Sequence, residues 1–213
     1  MLTRDGGQKS TALEVECMFK IDRTFLVDCD GIVANFSERA CADIKQRYGI
    51  EITCDGKNWD YFDYPEVKPH KNDMWDYIVN TKGWVRELKK YDYADELISR
   101  LREFGKVICV SSVPPGQYFA VERIDWLIEE LGFNKKDILL GYPKDLVWGD
   151  VFIDDKPANV VSWAKRWYGT PILWNSPGWV IKSPEVEECG IPIFQTGSVD
   201  SLFNHLRTMK VIT

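Results

Sequence analysis

Asp28 and Asp30 stand one residue apart at the end of the β-branched and aromatic run Thr24-Phe25-Leu26-Val27, and Gly31 follows them. Strand alternation puts both carboxylates on one side and turns Cys29 away. Gly31 lets the backbone turn sharply without a side chain in the way. Two like charges this close need a cation between them or a retained proton on one, and phosphoryl transfer uses both remedies. Ser111 and Ser112 close a second apolar run, Val107 to Val110, where hydroxyls and free backbone N–H groups are good donors to a phosphoryl oxygen. Lys144 lies in a loop ten residues before Asp154, and Asp154 and Asp155 close a third run, Val151-Phe152-Ile153. An ammonium reaching the same pocket would neutralise a carboxylate and a bound phosphate together. Two acids at the end of a buried strand need a cation or hydrogen-bond partners, because unpaired burial costs several kcal/mol. Asp28, the main-chain carbonyl of Asp30, Asp154 and its neighbour Asp155 offer an all-oxygen site suited to Mg²⁺.

The elements that must position these groups alternate along the chain. Residues 24–28 read as a strand and Phe36–Tyr48 as a helix stopped by Gly49. Tyr93–Phe104 is an amphipathic helix with Ala94, Leu97, Ile98, Leu101 and Phe104 on one stripe. A strand over 106–111, a helix over 118–131 (stripe Val121, Ile124, Leu127 or Ile128, Leu131), and short strands at 137–140 and 151–153 follow. Beyond them come a helix at 157–167, extended segments at 171–174 and 191–194, and a helix at 198–208. This order predicts an α/β fold: a Rossmann-like, mainly parallel sheet with helices on both faces. Ligands of such sheets bind beyond the carboxyl ends of the strands, where all the residues above fall. Residues 49–84 differ in character, rich in aromatics, Asp and Pro, with helix expected only near 71–80. The organisation expected is an N-terminal tail over 1–20 (with a short strand near Val15–Phe19), a core over 21–35 and 85–213, and a small, mostly helical cap over 36–84 inserted after the first strand.

With 213 residues, 45% apolar and 28% charged, the chain can bury a full core. A net charge of −6 argues against a broad nucleic-acid surface. Six cysteines without a C-x-x-C pair, and without a secretory signal before them, read as reduced thiols of a cytoplasmic protein. The two histidines, His70 and His205, have no cysteine neighbour, which disfavours zinc and leaves little room for a Ser-His-Asp device. No run of about 18 apolar residues is present to span a membrane.

D-x-D-G after the first strand, Ser after the second, a lysine, then Asp-Asp after a later strand resembles the four-motif pattern of haloacid-dehalogenase-like phosphatases. The strings DCDGIVANF, VICVSS and KDLVWGDVFIDDK are similar, more narrowly, to the 5′(3′)-deoxyribonucleotidase family over roughly residues 24–165. Two positions depart from it: Asn35 stands where that family commonly has Asp, and Val113 where proline usually follows the serine pair. The resemblance implies a Mg²⁺-dependent hydrolase of nucleoside 5′-monophosphates, of deoxyribose type. Asp28 would be the nucleophile, Asp30 the acid and base, and Ser111 and Lys144 would stabilise charge, with Ser112 on the substrate. The cap aromatics have two readings, a small core of their own or a stacking slot for a nucleobase. Phe36 is the first stacking candidate, then Trp59, Phe62 and Trp84. A phosphatase of sugar phosphates, a phosphatase of nucleic-acid ends and a catalytically silent nucleotide-binding protein are the competing readings. The expected partner is a small-molecule nucleotide, with neither nucleic acid nor membrane. The tryptophans Trp163, Trp167, Trp174 and Trp179 leave a core role and a homodimer interface both open.

Overall fold

A computed structural model describes residues 22–52, 61–177 and 183–213. The tail expected over 1–20 with its strand at Val15–Phe19, and the side chains of Trp59 and Trp179, lie outside the described residues. Strands β1 (Arg23–Val27), β2 (Gly105–Ser111), β3 (Ile138–Leu140), β4 (Val151–Asp154), β5 (Thr170–Trp174) and β6 (Phe194–Thr196) form one sheet. Their spatial order is β3-β2-β1-β4-β5-β6 and every pairing is parallel. The helices are α1 (Phe36–Tyr48), α2 (Lys71–Asn80), α3 (Ala94–Phe104), α4 (Phe119–Leu131), α5 (Pro157–Arg166), α6 (Pro184–Glu188) and α7 (Val199–Thr208).

Alternation along the central strands divides the core in two. Phe25, Val27, Val107, Cys109, Val151 and Ile153 join a large apolar cluster with residues of α3, α4 and α7. Leu26, Val110, Phe152 and Leu173 point the other way, into a smaller cluster with Val160 and Trp163 of α5. Trp163 stacks on Phe152 with ring centroids 5.3 Å apart. Both faces are therefore covered, which is why the strands read as unbroken apolar runs. Chain order runs outward from β1 to β3, returns to β4 beside β1, and runs outward again to β6. The reversal falls between β1 and β4, and a crevice opens there at the strands' carboxyl ends.

Between β1 and α3 the chain forms α1, 3₁₀ turns at Tyr61–Asp63 and Lys68–His70, and α2. Asn35 is the N-cap of α1: its side chain accepts from the Glu38 N–H at 3.2 Å and donates to the Glu38 carboxylate at 2.8 Å. Asn serves as well as Asp at this position, so the first departure from the family pattern is satisfied locally. The returning segment is tied to α4. The buried Glu122 carboxylate accepts from the N–H groups of Gly83, Val85 and Arg86 at 2.5, 3.1 and 3.4 Å, and Trp126 Nε1 donates to the Leu88 carbonyl at 2.8 Å. Phe36, Phe62, Met74, Ile78 and Trp84 belong to the same apolar cluster as β1 and β2, so the insertion packs on the core rather than around a centre of its own.

Two expectations are corrected. The last strand is Phe194–Thr196, not 191–194, because pairing with β5 begins at Ile172↔Phe194 and Pro192 has no N–H to give a ladder. On α4 the buried stripe is Phe119, Glu122, Arg123, Trp126, Leu127 and Leu131, while Val121 is 62% exposed. Burying Phe119 and Trp126 removes more apolar area from water than the alternative face would, and the helix is rotated accordingly.

Candidate active site

The register of β1 against β4 builds the site. Val27 pairs with Ile153, and the Asp28 N–H continues the ladder to the Ile153 carbonyl at 2.9 Å, which sets Asp28 beside Asp154 at the shared edge. Lys144 opens a 3₁₀ turn after β3, and its buried ammonium reaches both acids, Asp28 Oδ2 at 2.7 Å and Asp154 Oδ2 at 2.8 Å. Each carboxylate has further partners. Asp28 Oδ1 accepts from the Cys29 N–H at 2.6 Å, and Asp154 accepts from the Lys156 N–H at 2.8 Å and from Asn159 Nδ2 at 3.1 Å. Burial alone would lower the Lys144 pKa, but Asp154 and Asp28 outweigh it and hold the ammonium charged.

Carboxylate oxygens of Asp28, Asp154 and Asp155 lie within 4.8 Å of one another. Burial, then the neighbouring acids, push Asp155 well above the ordinary carboxylate range, and burial pushes Asp154 up against the pull of Lys144. Gly31 sits under this group at φ 75°, where a Cβ would overlap the Asp155 carboxylate. Its carbonyl accepts from Ser176 Oγ at 2.6 Å, which fixes the turn. The Asp30 carboxylate is outside the trio and faces Arg123, whose Nη2 reaches both its oxygens at 2.6 and 2.7 Å. Burial raises the Asp30 pKa, Arg123 pulls it back, and Asp28 raises it again.

A cavity of about 490 Å³ opens over these groups. Asp28, Asp30, Lys144, Asp155 and Asn159 line it, together with Phe36, Phe62, Tyr61 and Trp75. Of the expected positions, Asp28, Asp30, Lys144, Asp154 and Asp155 converge, and Phe36, Phe62 and Ser112 face the same space. Ser111 is wholly buried, its hydroxyl 3.5 Å from the Ser112 carbonyl, and the cavity lining carries Ser112 instead. Trp84 is corrected as a base contact. It is 0% exposed behind Phe36, ring centroids 4.8 Å apart, with its Nε1 on Asp43 at 2.7 Å. Trp59 lies outside the described residues.

Among the residues of the site that the motifs do not flag are Arg123, Tyr61, Trp75, Asn159 and Ser176. Arg123 carried a signal, since it sits four residues after Phe119 and three before Trp126 on one helix face. Trp75 was one aromatic among many, and Asn159 and Ser176 had no pattern of their own.

Residues 22–180 match the family model described as "5' nucleotidase, deoxy (Pyrimidine), cytosolic type C protein". The chain belongs to that family. It is therefore a phosphatase of the 5′-nucleotidase type, on a haloacid-dehalogenase-like α/β fold. A Bordetella pertussis protein named "Putative 5'(3')-deoxyribonucleotidase" is 27% identical over 157 residues, covering 71% of this chain and 83% of that one. Among solved structures, a Burkholderia xenovorans protein described as a "putative haloacid dehalogenase-like hydrolase" superposes with TM-score 0.58 at 16% identity, over 90% of this chain and 99% of its own. The "putative HAD-hydrolase YfnB" of Bacillus subtilis, described as bound to magnesium, gives TM-score 0.52 at 16% identity, over 87% of this chain and 98% of its own. At such identities the two structures speak for the fold. No helix among the described residues is long and apolar enough to cross a membrane.

Proposed function

We propose that this site hydrolyses nucleoside 5′-monophosphates, deoxyribonucleotides first, through an aspartyl-phosphate on Asp28, with residues 36–84 acting as the cap. The observation that carries the reading is a single cavity lined by Asp28 paired to a buried lysine and also by Phe36, Phe62 and Trp75. A phosphate held by the first group leaves an attached base within reach of the rings. The family's name and that of the Bordetella protein point the same way.

Asp28, Asp154, Asp155 and the main-chain carbonyl of Asp30 would hold Mg²⁺. The donor set fits, being all oxygen, with three carboxylates within 4.8 Å of one another against the single ammonium of Lys144. When bound, the ion would withdraw charge from the phosphoryl group. The chain's own residues do the rest. Asp28 Oδ attacks phosphorus, the P–O ester bond breaks, and the ester oxygen keeps the bonding pair and takes a proton from Asp30. Water then attacks the aspartyl-phosphate and yields a proton to Asp30, while the Asp28–phosphorus bond breaks to release inorganic phosphate. Lys144 and the donors at Ser112 and in the turn after Asp28 offset negative charge on the transferring group. Ser111 is buried at the end of β2, so the hydroxyl offered to the cavity is that of Ser112.

Phosphate release from a panel of deoxy- and ribonucleoside 5′-monophosphates and sugar phosphates, with Mg²⁺ or with chelator, tests the proposal. The highest kcat/KM is expected for a deoxyribonucleotide, and only with the metal. Higher kcat/KM for sugar phosphates overturns the nucleotide assignment, and undiminished activity in chelator overturns the metal.

A further inference from the structure

Arg123 is placed where its own stability gives it no reason to be. It is a helix residue 0% exposed, and its Nε meets no acceptor among the described residues. Replacing such a buried pair by apolar side chains is often neutral or favourable, so packing does not account for a guanidinium. What it does reach is the stretch directly after the nucleophile. Nη1 lies 2.7 Å from Cys29 Sγ, and Nη2 spans both oxygens of Asp30 at 2.6 and 2.7 Å. Behind it, the Phe119 ring lies 5.2 Å from the guanidinium carbon, so the fork is clamped between a ring and two consecutive residues. Asp30 itself keeps 30% of its side chain exposed, on the cavity side.

An aspartate at the rim of a cavity has several staggered rotamers, and a proton crosses only at hydrogen-bond distance. Misplacing a reacting group by about 1 Å can cost on the order of 100-fold in rate. Resting on the phosphatase reading above, we propose that Arg123 is a positioning residue: its guanidinium fixes the Asp30 carboxyl, and through Cys29 the turn carrying it, at the angle from which it serves the ester oxygen. Arg123 forms no bond to substrate and keeps its protons throughout. In the first step the P–O bond breaks toward the ester oxygen, which receives the Asp30 proton, and Asp30 is left as a carboxylate against Arg123. A nucleoside ester oxygen depends on that proton, whereas the oxygen of p-nitrophenyl phosphate leaves without it.

The test compares the parent with Arg123→Met and Arg123→Lys on a deoxynucleoside 5′-monophosphate and on p-nitrophenyl phosphate. In Arg123→Met, kcat for the nucleotide is expected to fall about 100-fold with KM within about twofold. Because water attack on the aspartyl-phosphate also uses Asp30 and is shared by both substrates, the contrast is read in the first turnover: release of p-nitrophenolate there should slow less than about threefold while release of the nucleoside slows about 100-fold, and Arg123→Lys should recover part of the nucleotide rate. Equal first-turnover losses on both substrates, or a parental nucleotide kcat in Arg123→Met, overturn the proposal. If Arg123→Met does not fold, Arg123→Lys decides by the same contrast, a smaller loss confined to the nucleotide supporting the proposal and an equal loss on both substrates overturning it. A parent that hydrolyses alkyl and aryl phosphates but no nucleotide refutes the substrate reading alone. The leaving-group contrast, measured on the alkyl phosphate, then still decides Arg123.

Discussion

The carboxyl edge of the sheet and the segment inserted after it both hold charge and aromatic rings, yet they are built on opposite principles. At the edge, charges are buried and share partners. Lys144 has 2% of its side chain exposed and bridges Asp28 and Asp154, which keep 9% and 0%. In the insertion, charges pair at the surface, as Lys45 with Glu51 at 61% and 73% exposure, and the rings are inside. The same ion pair is worth little in water and a great deal where removing one partner strands the other. Strand register holds the first region, and side-chain packing holds the second.

The sharpest contrast is expected at Asp28. With Asp28 as the proposed nucleophile, Asp28→Asn should reduce turnover by on the order of 10⁴-fold or more, since an amide does not form the acyl-phosphate. Its circular dichroism should match the parent, because the backbone N–H bonds that fix the residue remain. Retained turnover would remove Asp28 as nucleophile. Next comes Lys144→Met, which leaves Asp28 and Asp154 facing each other without their shared cation. Unfolding in denaturant with chelator present should show a loss of about 3–5 kcal/mol. Added Mg²⁺ should restore part of it, by about 2.7 kcal/mol at a hundred times its Kd. A variant of parental stability in chelator would show that the edge is not held by this triad.

The insertion should answer with binding rather than chemistry. Phe62→Ala removes a ring that lines the cavity beside Trp75, their centroids 5.1 Å apart. Its KM for the nucleotide should rise by a factor corresponding to about 1–3 kcal/mol, with kcat little changed. Trp84→Phe shrinks a side chain that never reaches the cavity and deletes its N–H bond to Asp43, and it should cost stability while leaving KM alone. Steady-state kinetics and thermal unfolding on the two variants separate the roles. A KM effect at Trp84 equal to that at Phe62 would erase the distinction between slot and core.

This difference also explains what could be read without coordinates. In a parallel sheet, a residue's place relative to a strand end converts directly into a position on one edge, so Asp28, Asp154 and Lys144 were legible from spacing alone. The fold class followed from the same alternation. Trp84 was not legible, because its burial depends on Phe36 and Asp43 arriving from α1. Nor was Trp75 distinguishable from its neighbours, since the short turns around it impose no period. Arg123 falls between these cases: apolar spacing predicts its helix, but the stripe it selects, Val121, Ile124 and Leu131, passes over the face on which Phe119, Arg123 and Trp126 are buried. Ser111 is the last residue of β2 and Ser112 the first beyond it, so their order of exposure turns on where the strand ends, which spacing does not state.

The smallest effect is expected where the two regions join. Asn35 N–H donates to the Lys89 carbonyl at 2.8 Å and Tyr91 N–H to the Val33 carbonyl at 3.0 Å, so backbone bonds already tie the outgoing and returning chains. Lys89 Nζ also meets Glu38 Oε1 at 2.7 Å, at 74% and 52% side-chain exposure, and Arg39 meets Glu87 at 3.1 Å. Solvent screens such pairs, and ordering two long side chains offsets much of their attraction. Lys89→Gln keeps the backbone carbonyl and removes only the charge. Stability is expected to change by no more than about 0.5 kcal/mol, and kcat/KM to stay within about twofold at any ionic strength. A loss several times larger, disappearing at high salt, would mean that charge and not packing sets the insertion on the sheet. The division between a charge-built edge and a packing-built insertion would then have to be redrawn at its seam.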